Sequence, residues 1–239
     1  MYENETKLYN IIKKYKLKTN EKNEFLNIIY PIFKHEEFQK RMTDKFKHHG
    51  NITLGEHILE DAVLTYILCK KRKRNNVNPV LAVRIAMLHD LYTVPWQNNK
   101  DASCKKIFNK HGFRHPIEAV INSINWFPEL FINYDEAEIL IDGIVHHMYP
   151  LPVTVFNKNS LNDAELKNFD LLKNLSSETQ LLLIRSSSRH KIGRISLSRS
   201  KYYEGRIMAK ADKRTSIMQI KNLSSAIALI TGHNRSLKK

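Results

Sequence analysis

Residues 81–92 read LAVRIAMLHDLY, an almost wholly apolar run that ends in an adjacent histidine and aspartate. Asn78 and Pro79 stand just ahead of it, and an asparagine followed by a proline is a frequent start of an α-helix. The length of the run and these flanking signals favour a helix over a strand, and its apolar character predicts a central, buried helix. A buried aspartate is costly unless its charge is paired or bound to a metal, so packing alone does not explain His89-Asp90.

Helical periodicity continues on both sides of this run. Residues 5–17 carry an apolar stripe with lysines opposite, which is typical of an amphipathic helix. A last helix is expected over residues 203–223. The other expected helix starts are Thr53 with Glu56 at capping-box spacing, His115-Pro116, and Asn133 with Glu136.

The whole chain has 239 residues, 42% of them hydrophobic, with only 7 glycines and 7 prolines. So few turn-forming residues favour helices over sheets, and the predicted fold class is all-α. One domain over 1–239 is expected. It comprises a helical extension over 1–35, a helical core over 36–150 and 202–225, and an irregular insertion over 151–201. Within the insertion we consider a short helix near Ala164–Leu175 and an apolar run at Gln180–Ile184, and its last part, rich in serine and arginine, is either a loop or a small hairpin.

The formal net charge is +15. Such an excess attracts polyanions, including nucleotides and nucleic acid, although a proteome rich in lysine and asparagine would give the same balance. No apolar run is long enough to span a bilayer, and the acidic start does not resemble a signal peptide. Cys69 and Cys104 are expected to be reduced thiols, so we expect a cytoplasmic protein of unknown oligomeric state.

The placement of the 11 histidines is more informative than their number. Histidines lie at expected helix ends or beside apolar faces at His57, His89, His115 and the His146-His147 pair, and Asp212 lies in the last helix. Imidazole and carboxylate together suit a divalent ion such as Mn, Fe, Co, Ni, Zn or Mg.

Three segments resemble a known family. HILEDAV at 57–63, IAMLHDLY at 85–92 and AKADKRTS at 209–216, in that order, are similar to the signature of the HD superfamily of metal-dependent phosphohydrolases. The resemblance implies a helical bundle in which His57, His89, Asp90 and Asp212 hold one divalent ion. Two features of particular branches are missing: a glutamate shortly after His89-Asp90, and a Gly-Tyr-Pro element after the paired histidines.

FRHPIEA at 113–119 and VHHMYPL at 145–151 also resemble the intervening histidines of two-metal branches. On that resemblance His115 and His147 bind a second ion and Asp90 bridges the two. Helix phase decides between His146 and His147, and the family pattern favours His147. Without the resemblance, His115 is simply a helix cap and His146-His147 partner a helix dipole.

The segment HHGNITLGEH at 48–57 resembles an uncharacterised bacterial subgroup of the superfamily, in which paired histidines precede the first ligand. His48 and His49 then face the phosphate or the leaving group, or they simply form a polar turn before the helix cap. One of them or Lys213 is a candidate to protonate the leaving group. Arg194 and Arg206 either contact phosphate or lie on a solvated loop without a functional role. Asp61, one turn after His57, is either an orienting carboxylate or a surface residue.

The function implied by the resemblance is hydrolysis of a phosphoester or phosphoanhydride bond by metal-bound hydroxide, with Asp90 at the centre of the reaction. The substrate is expected to be a small phosphorylated anion of nucleotide type. Two alternatives stay open: a di-iron oxygenase on the same fold, and a non-catalytic helical protein that binds RNA or another polyanion through its charge.

Overall fold

The computed structural model describes residues 2–48, 51–71, 76–94, 110–156 and 176–219. Their helices, numbered in chain order, are α1 (Tyr2–Lys14), α2 (Thr19–Phe33), α3 (Glu36–Arg41), α4 (Leu54–Lys71), α5 (Pro79–Leu88), α6 (His111–Trp126), α7 (Tyr134–Val145), α8 (Ser177–Ser187) and α9 (Tyr203–Gln219). Short 3-10 turns cover Asp44–Phe46 and Pro128–Phe131. The predicted all-α class is confirmed.

The apolar run around which the fold was predicted forms α5, the central helix of the core. Asn78 caps it by accepting hydrogen bonds from the Val80 and Leu81 backbone amides at 2.9 and 3.4 Å. Its apolar residues from Leu81 to Leu88 are almost completely buried. α4, α7 and α9 all pack against α5, with α1 and α2 outside α4 and α5. The His89-Asp90 pair, just past the end of α5, is therefore held in the interior.

Two further predicted helix starts are confirmed by their caps. The Thr53 backbone amide donates to Glu56 Oε2 at 2.9 Å, while the Glu56 amide donates to Thr53 Oγ1 at 3.2 Å, and the capping box sets the start of α4. Asn133 accepts a hydrogen bond from the Glu136 amide at 3.1 Å at the start of α7. The apolar stripe of α1 is also buried.

One predicted helix start is wrong. His115-Pro116 does not open a helix, because α6 begins four residues earlier, at His111. Pro116 is the sixth residue of α6, beyond the first four whose amides lack a partner within the helix, so it removes one backbone hydrogen bond from the second turn. His115 therefore lies inside α6 rather than at its cap, and the helix fixes the direction in which its side chain points.

The segment predicted as an irregular insertion contains ordered elements in its described part. The apolar run at Gln180–Ile184 belongs to α8, which packs on α7. Strands β1 (Val153–Thr154), β2 (Lys191–Ile192) and β3 (Ile195–Ser196) form an antiparallel sheet in the order β1-β3-β2. The hairpin reading of the serine- and arginine-rich stretch is thus confirmed at β2 and β3, whereas the helix considered near Ala164–Leu175 falls outside the described residues.

None of the helices in the described ranges is both long and apolar enough to cross a membrane.

Candidate metal centre

Five helices bring histidine and aspartate side chains to one buried point. α4 supplies His57 and, one turn later on the same face, Asp61. His89 and Asp90 follow α5, His115 comes from α6, His147 follows α7, and Asp212 comes from α9. All seven residues are at most 8% exposed. The six ligands predicted from the sequence are therefore together, with Asp61 among them.

The side chains form two sets. The inner set is His57, Asp61, His89 and Asp212, whose ligand atoms all lie within 4.8 Å of one another. The outer set is His115 and His147, whose Nε2 atoms lie 3.0 Å apart. Asp90 lies between them: Oδ2 is 3.6 Å from His89 Nε2 and Oδ1 is 3.3 Å from His115 Nε2.

These spacings fit divalent metal ions. Two donors each about 2.1 Å from one ion lie roughly 3.0–3.4 Å apart for octahedral to tetrahedral angles. The inner set has separations of 3.1 Å from His57 Nε2 to Asp61 Oδ2 and 3.6 Å from His57 Nε2 to Asp212 Oδ1. Slightly longer separations are expected where the side chains have to close around an ion.

The histidine rings are oriented to coordinate through Nε2. The Nδ1 atoms of His89 and His147 each lie 2.7 Å from a backbone carbonyl, Ala86 and Ile144 respectively, and that of His115 lies 3.2 Å from the His111 carbonyl. A carbonyl accepts a hydrogen, so Nδ1 carries the proton and the Nε2 lone pair faces the cluster. Among the described residues, His89 Nε2, which is buried, makes no hydrogen bond.

His57 is oriented by side chains instead. Its Nδ1 lies 3.0 Å from Gln219 Oε1, and Gln219 Nε2 donates to Glu60 Oε2 at 3.0 Å. Thr215 donates a hydrogen bond to Asp61 Oδ1. Asp212, Thr215 and Gln219 follow a spacing of three and four residues on α9, so one face of that helix serves the centre.

The pKa values show that the cluster holds a positive charge where an ion would bind. Burial lowers the pKa of His57, but the Asp61, Asp212 and Asp90 carboxylates outweigh it and raise the pKa to about 10. Burial raises the pKa of Asp61 to about 7, against the opposing effect of His57. Cations attracted to this point, whether protons or metal ions, are stabilised by the same carboxylates.

The outer histidines differ in their protonation. Burial lowers the pKa of His147 to about 3, with His89 and His115 adding to the effect, so this ring is neutral. Burial also opposes protonation of His115, but Asp90 reverses the effect and raises its pKa. Burial alone would raise the pKa of Asp90, yet His89, His115 and His147 keep it well below its usual range. Asp90 is therefore an ionised carboxylate that both sets share.

His147 rather than His146 faces the cluster. His146 Nε2 lies 3.2 Å from the Ser186 carbonyl, and its ring contacts Ser198. Asp142, one turn earlier on α7, accepts hydrogen bonds from Ser200 Oγ and the Lys201 amide, both at 2.7 Å. These contacts attach the segment after α8 to α7, and His146 belongs to them.

The other predicted site residues have different surroundings. The His48 ring stacks on His57 with centroids 4.0 Å apart, at the edge of the cluster, whereas His49 lies outside the described residues. Lys213 donates to the Tyr149 carbonyl. Arg206 donates to the Ser200 and Lys201 carbonyls at 2.7 and 3.0 Å, and Arg194 is exposed in the turn between β2 and β3. Neither arginine has a hydrogen bond or ion pair with the cluster among the described residues, and phosphate contact by either stays a prediction.

Three participants had no clear assignment from the sequence. Asp61 is fully buried with its carboxylate on the cluster, and Thr215 and Gln219 support it from α9. The signal for Asp61 was its distance of four residues from His57 within an amphipathic helix, and that for Gln219 its spacing of seven from Asp212. Spacing gives the shared face but not which neighbour that face meets.

No protein-family model, no curated protein and no solved structure matches this chain. The centre is thus defined by its own geometry: a buried group of histidines and aspartates that could hold a divalent metal and is compatible with a metal-dependent enzyme.

Proposed function

We propose that this protein is a metal-dependent hydrolase of the HD type, which cleaves phosphoester or phosphoanhydride bonds in a nucleotide-like substrate. The observation that carries the proposal is the position of Asp90. One of its oxygens faces His89 at 3.6 Å and the other faces His115 at 3.3 Å and His147 at 3.6 Å. A carboxylate divided between two donor sets is the arrangement that bridges a pair of ions.

The donor set also favours an anionic substrate. Bound divalent ions supply a water of lowered pKa and neutralise charge on phosphate oxygens. Asp61, Asp90 and Asp212 contribute three negative charges, and the histidines are neutral when they coordinate. Two divalent ions would leave the centre one positive charge, which attracts a phosphate group, whereas one ion would leave it negative.

The residues around the donors have separate tasks. His48 lies against His57 and is only partly buried, so it is our candidate to protonate the leaving group. Lys213 neighbours Asp212, and its bond to the Tyr149 carbonyl holds the end of α7 near α9. The net charge of +15 supports a substrate with several phosphates, such as a nucleotide.

The test is hydrolysis of a panel of nucleotides and dinucleoside polyphosphates by protein loaded with Mn, Co, Ni, Fe, Zn or Mg. Asp90→Ala should reduce kcat/KM by more than about 100-fold, because it removes a ligand rather than a neighbour of one. Asp135→Ala, on the exposed face of α7, is the matched control and should retain activity.

Three outcomes would contradict the proposal. Activity that survives Asp90→Ala would rule out this centre. Oxygen consumption with Fe(II), together with no hydrolysis in the presence of Mn(II), would favour the oxygenase instead. Negligible metal content, with polyanion binding that weakens steeply with salt, would indicate a binding protein.

A further inference from the structure

We propose that Asp61 is itself a metal ligand, so that the inner ion is held by five protein donors and the outer ion by three. The five are His57, Asp61, His89, Asp212 and Asp90 Oδ2, and the three are Asp90 Oδ1, His115 and His147. This inference rests on the proposed metal centre. It adds that protein donors nearly fill the coordination of the inner ion and leave positions free on the outer ion.

The position of Asp61 is the first argument. It lies one turn after His57 on α4, so both side chains leave the helix on the same face. Asp61 Oδ2 is 3.1 Å from His57 Nε2 and 3.5 Å from His89 Nε2. Thr215 occupies the other oxygen, Oδ1, with a donated hydrogen bond, which fixes Oδ2 towards the two histidine nitrogens.

Charge balance is the second argument. Asp61 is fully buried, and among the described residues its ion pairs are with His57 and His89. Imidazoles that coordinate a metal are neutral and no longer balance a carboxylate. A buried carboxylate without a cation is strongly unfavourable, so an ion bound by His57 and His89 has to neutralise Asp61 as well.

The hydrogens of His57 supply the third argument. An orienting role would require Asp61 to accept a hydrogen from His57 Nε2. Gln219 Oε1 already lies 3.0 Å from Nδ1, and its amide is fixed because the Nε2 side donates to Glu60. A ring with hydrogens on both nitrogens has no lone pair for a metal. If His57 binds the ion, Asp61 cannot be its hydrogen-bond acceptor and is free to coordinate.

The number of donors distinguishes the two ions. Structural metal sites are usually closed by protein ligands, whereas catalytic ones keep a position open. Five protein donors would fill most positions around the inner ion, and three would leave positions free on the outer ion, so water and substrate would exchange at the outer ion. Exposure does not separate the two sets, because the Asp212 side chain of the inner set is 11% exposed and the His147 side chain of the outer set only 1%.

The experiment isolates the inner ion with His115→Ala, which removes an outer ligand and should leave one Co(II) per chain. Asp61→Asn is then added in that background. We expect its affinity for Co(II), measured by competition with a chelator, to fall at least about tenfold. The visible spectrum should shift from the weak absorption of a five- or six-coordinate ion towards the stronger absorption of a four-coordinate one.

The matched control is Glu204→Gln, the same change of carboxylate to amide at a buried position of α9. Glu204 accepts a hydrogen bond from the Asn78 amide at 2.9 Å, away from the cluster. It should leave both Co(II) affinity and spectrum unchanged. Circular dichroism checks helix content, and if Asp61→Asn loses it, X-ray absorption on the folded His115→Ala protein still distinguishes five or more light donors from four.

The outcomes separate this inference from the proposed function. A wild-type chain that binds no ion would overturn the proposed function. Two ions in the wild type, but an unchanged affinity and spectrum in Asp61→Asn, would overturn only the assignment of Asp61. Four donors in the absorption data would overturn it equally.

Discussion

A chain of polar contacts that begins at the surface fixes the hydrogen on His57. Lys14, on α1, donates to Glu60 Oε1 at 2.5 Å, and Glu60 accepts from Gln219 Nε2 at 3.0 Å. An ionised glutamate can only accept, so the amide of Gln219 has to turn its oxygen towards His57 Nδ1. The orientation of the buried His57 ring is thus determined by Glu60, one turn later on α4, and by Gln219 on α9.

Gln219→Leu tests this chain. Leucine has a similar volume but cannot accept the hydrogen of His57 Nδ1, so the ring loses its fixed orientation. We expect the affinity for the inner ion to fall by roughly 10–100-fold, the usual effect of losing a partner behind a ligand. Equilibrium dialysis against Mn(II) measures it. Gln180→Leu, the same change on α8, should have no effect, and equal affinities in the two variants would refute the orienting role.

The pKa of His57 predicts that metal uptake releases protons. Because the folded protein raises this pKa from 6.5 to about 10, the ring is charged at pH 7.5 and has to lose its proton before it can coordinate. The same shift stabilises the metal-free fold fully below pH 6.5 and loses its effect as the pH rises through 10. Apparent affinity should therefore increase with pH, by up to about tenfold per unit for one proton.

Calorimetric titration with Mn(II) at pH 7.5, in two buffers of different ionisation enthalpy, measures this release. The observed heats should differ by about one buffer proton per inner ion. Asp61 adds little at this pH, because its pKa is about 7 and most of it is already ionised. His57→Gln should remove most of the difference. Heats that do not depend on the buffer would show that His57 is neutral before the metal binds.

At the scale of single residues, the sequence predicted the residues that come together in the candidate centre better than the residues that support them. His57, the His89-Asp90 pair and Asp212 were predicted because their segments resemble a known family signature, and a polar pair at the end of an apolar helix is unusual in itself. The sequence did not decide whether Asp61 is buried or exposed, because its burial depends on α9 covering that face of α4. That covering is a long-range contact, which local periodicity does not contain.

At the scale of helices, two glycines set how closely the elements of the centre approach. A Cβ on Gly205 of α9 would lie 2.7 Å from the Cα atom of Gly143 on α7, and a Cβ on Gly143 would lie 2.5 Å from Ile85 Cδ1 on α5. Side chains at these points would separate the helices. The three helices that carry or precede His89, His147 and Asp212 therefore cross at small residues.

Gly205→Ala should reduce stability and disturb the centre. The added methyl group meets backbone atoms of α7, which cannot rotate away, and overpacking of this kind costs about 1–3 kcal/mol. Urea denaturation measures the change in the free energy of unfolding, and the affinity for Mn(II) should fall because α9 carries Asp212.

Gly112→Ala is the control: the same substitution in α6 meets nothing within 4 Å. Its stability should stay equal or rise by up to about 1 kcal/mol, reflecting the better helix propensity of alanine. Equal losses in both variants would contradict the close-packing argument.

Three helix starts were predicted where a side chain caps the backbone, and the start of α6 was misplaced where none does. Asn78, Asn133 and the Thr53–Glu56 pair each accept hydrogen bonds from the first free amides of a helix. α6 begins after Lys110, which makes no side-chain cap. The sequence pattern therefore predicted the start at His115-Pro116 instead. Tertiary packing, which is not encoded locally, supports that first turn.

At the scale of the whole molecule, the side chains of the buried centre include several acidic groups although the chain as a whole is strongly basic. The chain carries a net charge of +15, yet its buried centre contains three aspartates with no lysine or arginine paired to Asp61, Asp90 or Asp212 among the described residues. A basic surface attracts phosphorylated anions at long range, while the carboxylates require divalent cations at short range. The two together agree with our proposal of a phosphorylated substrate, which would bind through metal ions rather than through arginine.

The carboxylate centre predicts that metal ions stabilise the whole fold. The candidate ligands come from five helices, so an ion that binds only the folded chain should raise the free energy of unfolding by about 2.7 kcal/mol at 100 times its dissociation constant. Urea denaturation of the metal-free protein with and without Mn(II) measures this increment, at fixed ionic strength so that surface screening is unchanged. Asp90→Ala should lose most of the increment, since Asp90 connects the two donor sets, whereas Asp135→Ala, exposed on α7, should keep it. Mg(II) tests the donor chemistry in the same way, because its preference for oxygen over imidazole predicts a smaller gain than Mn(II) at equal concentration. A stability that is the same with and without every ion would mean that these helices come together for packing alone.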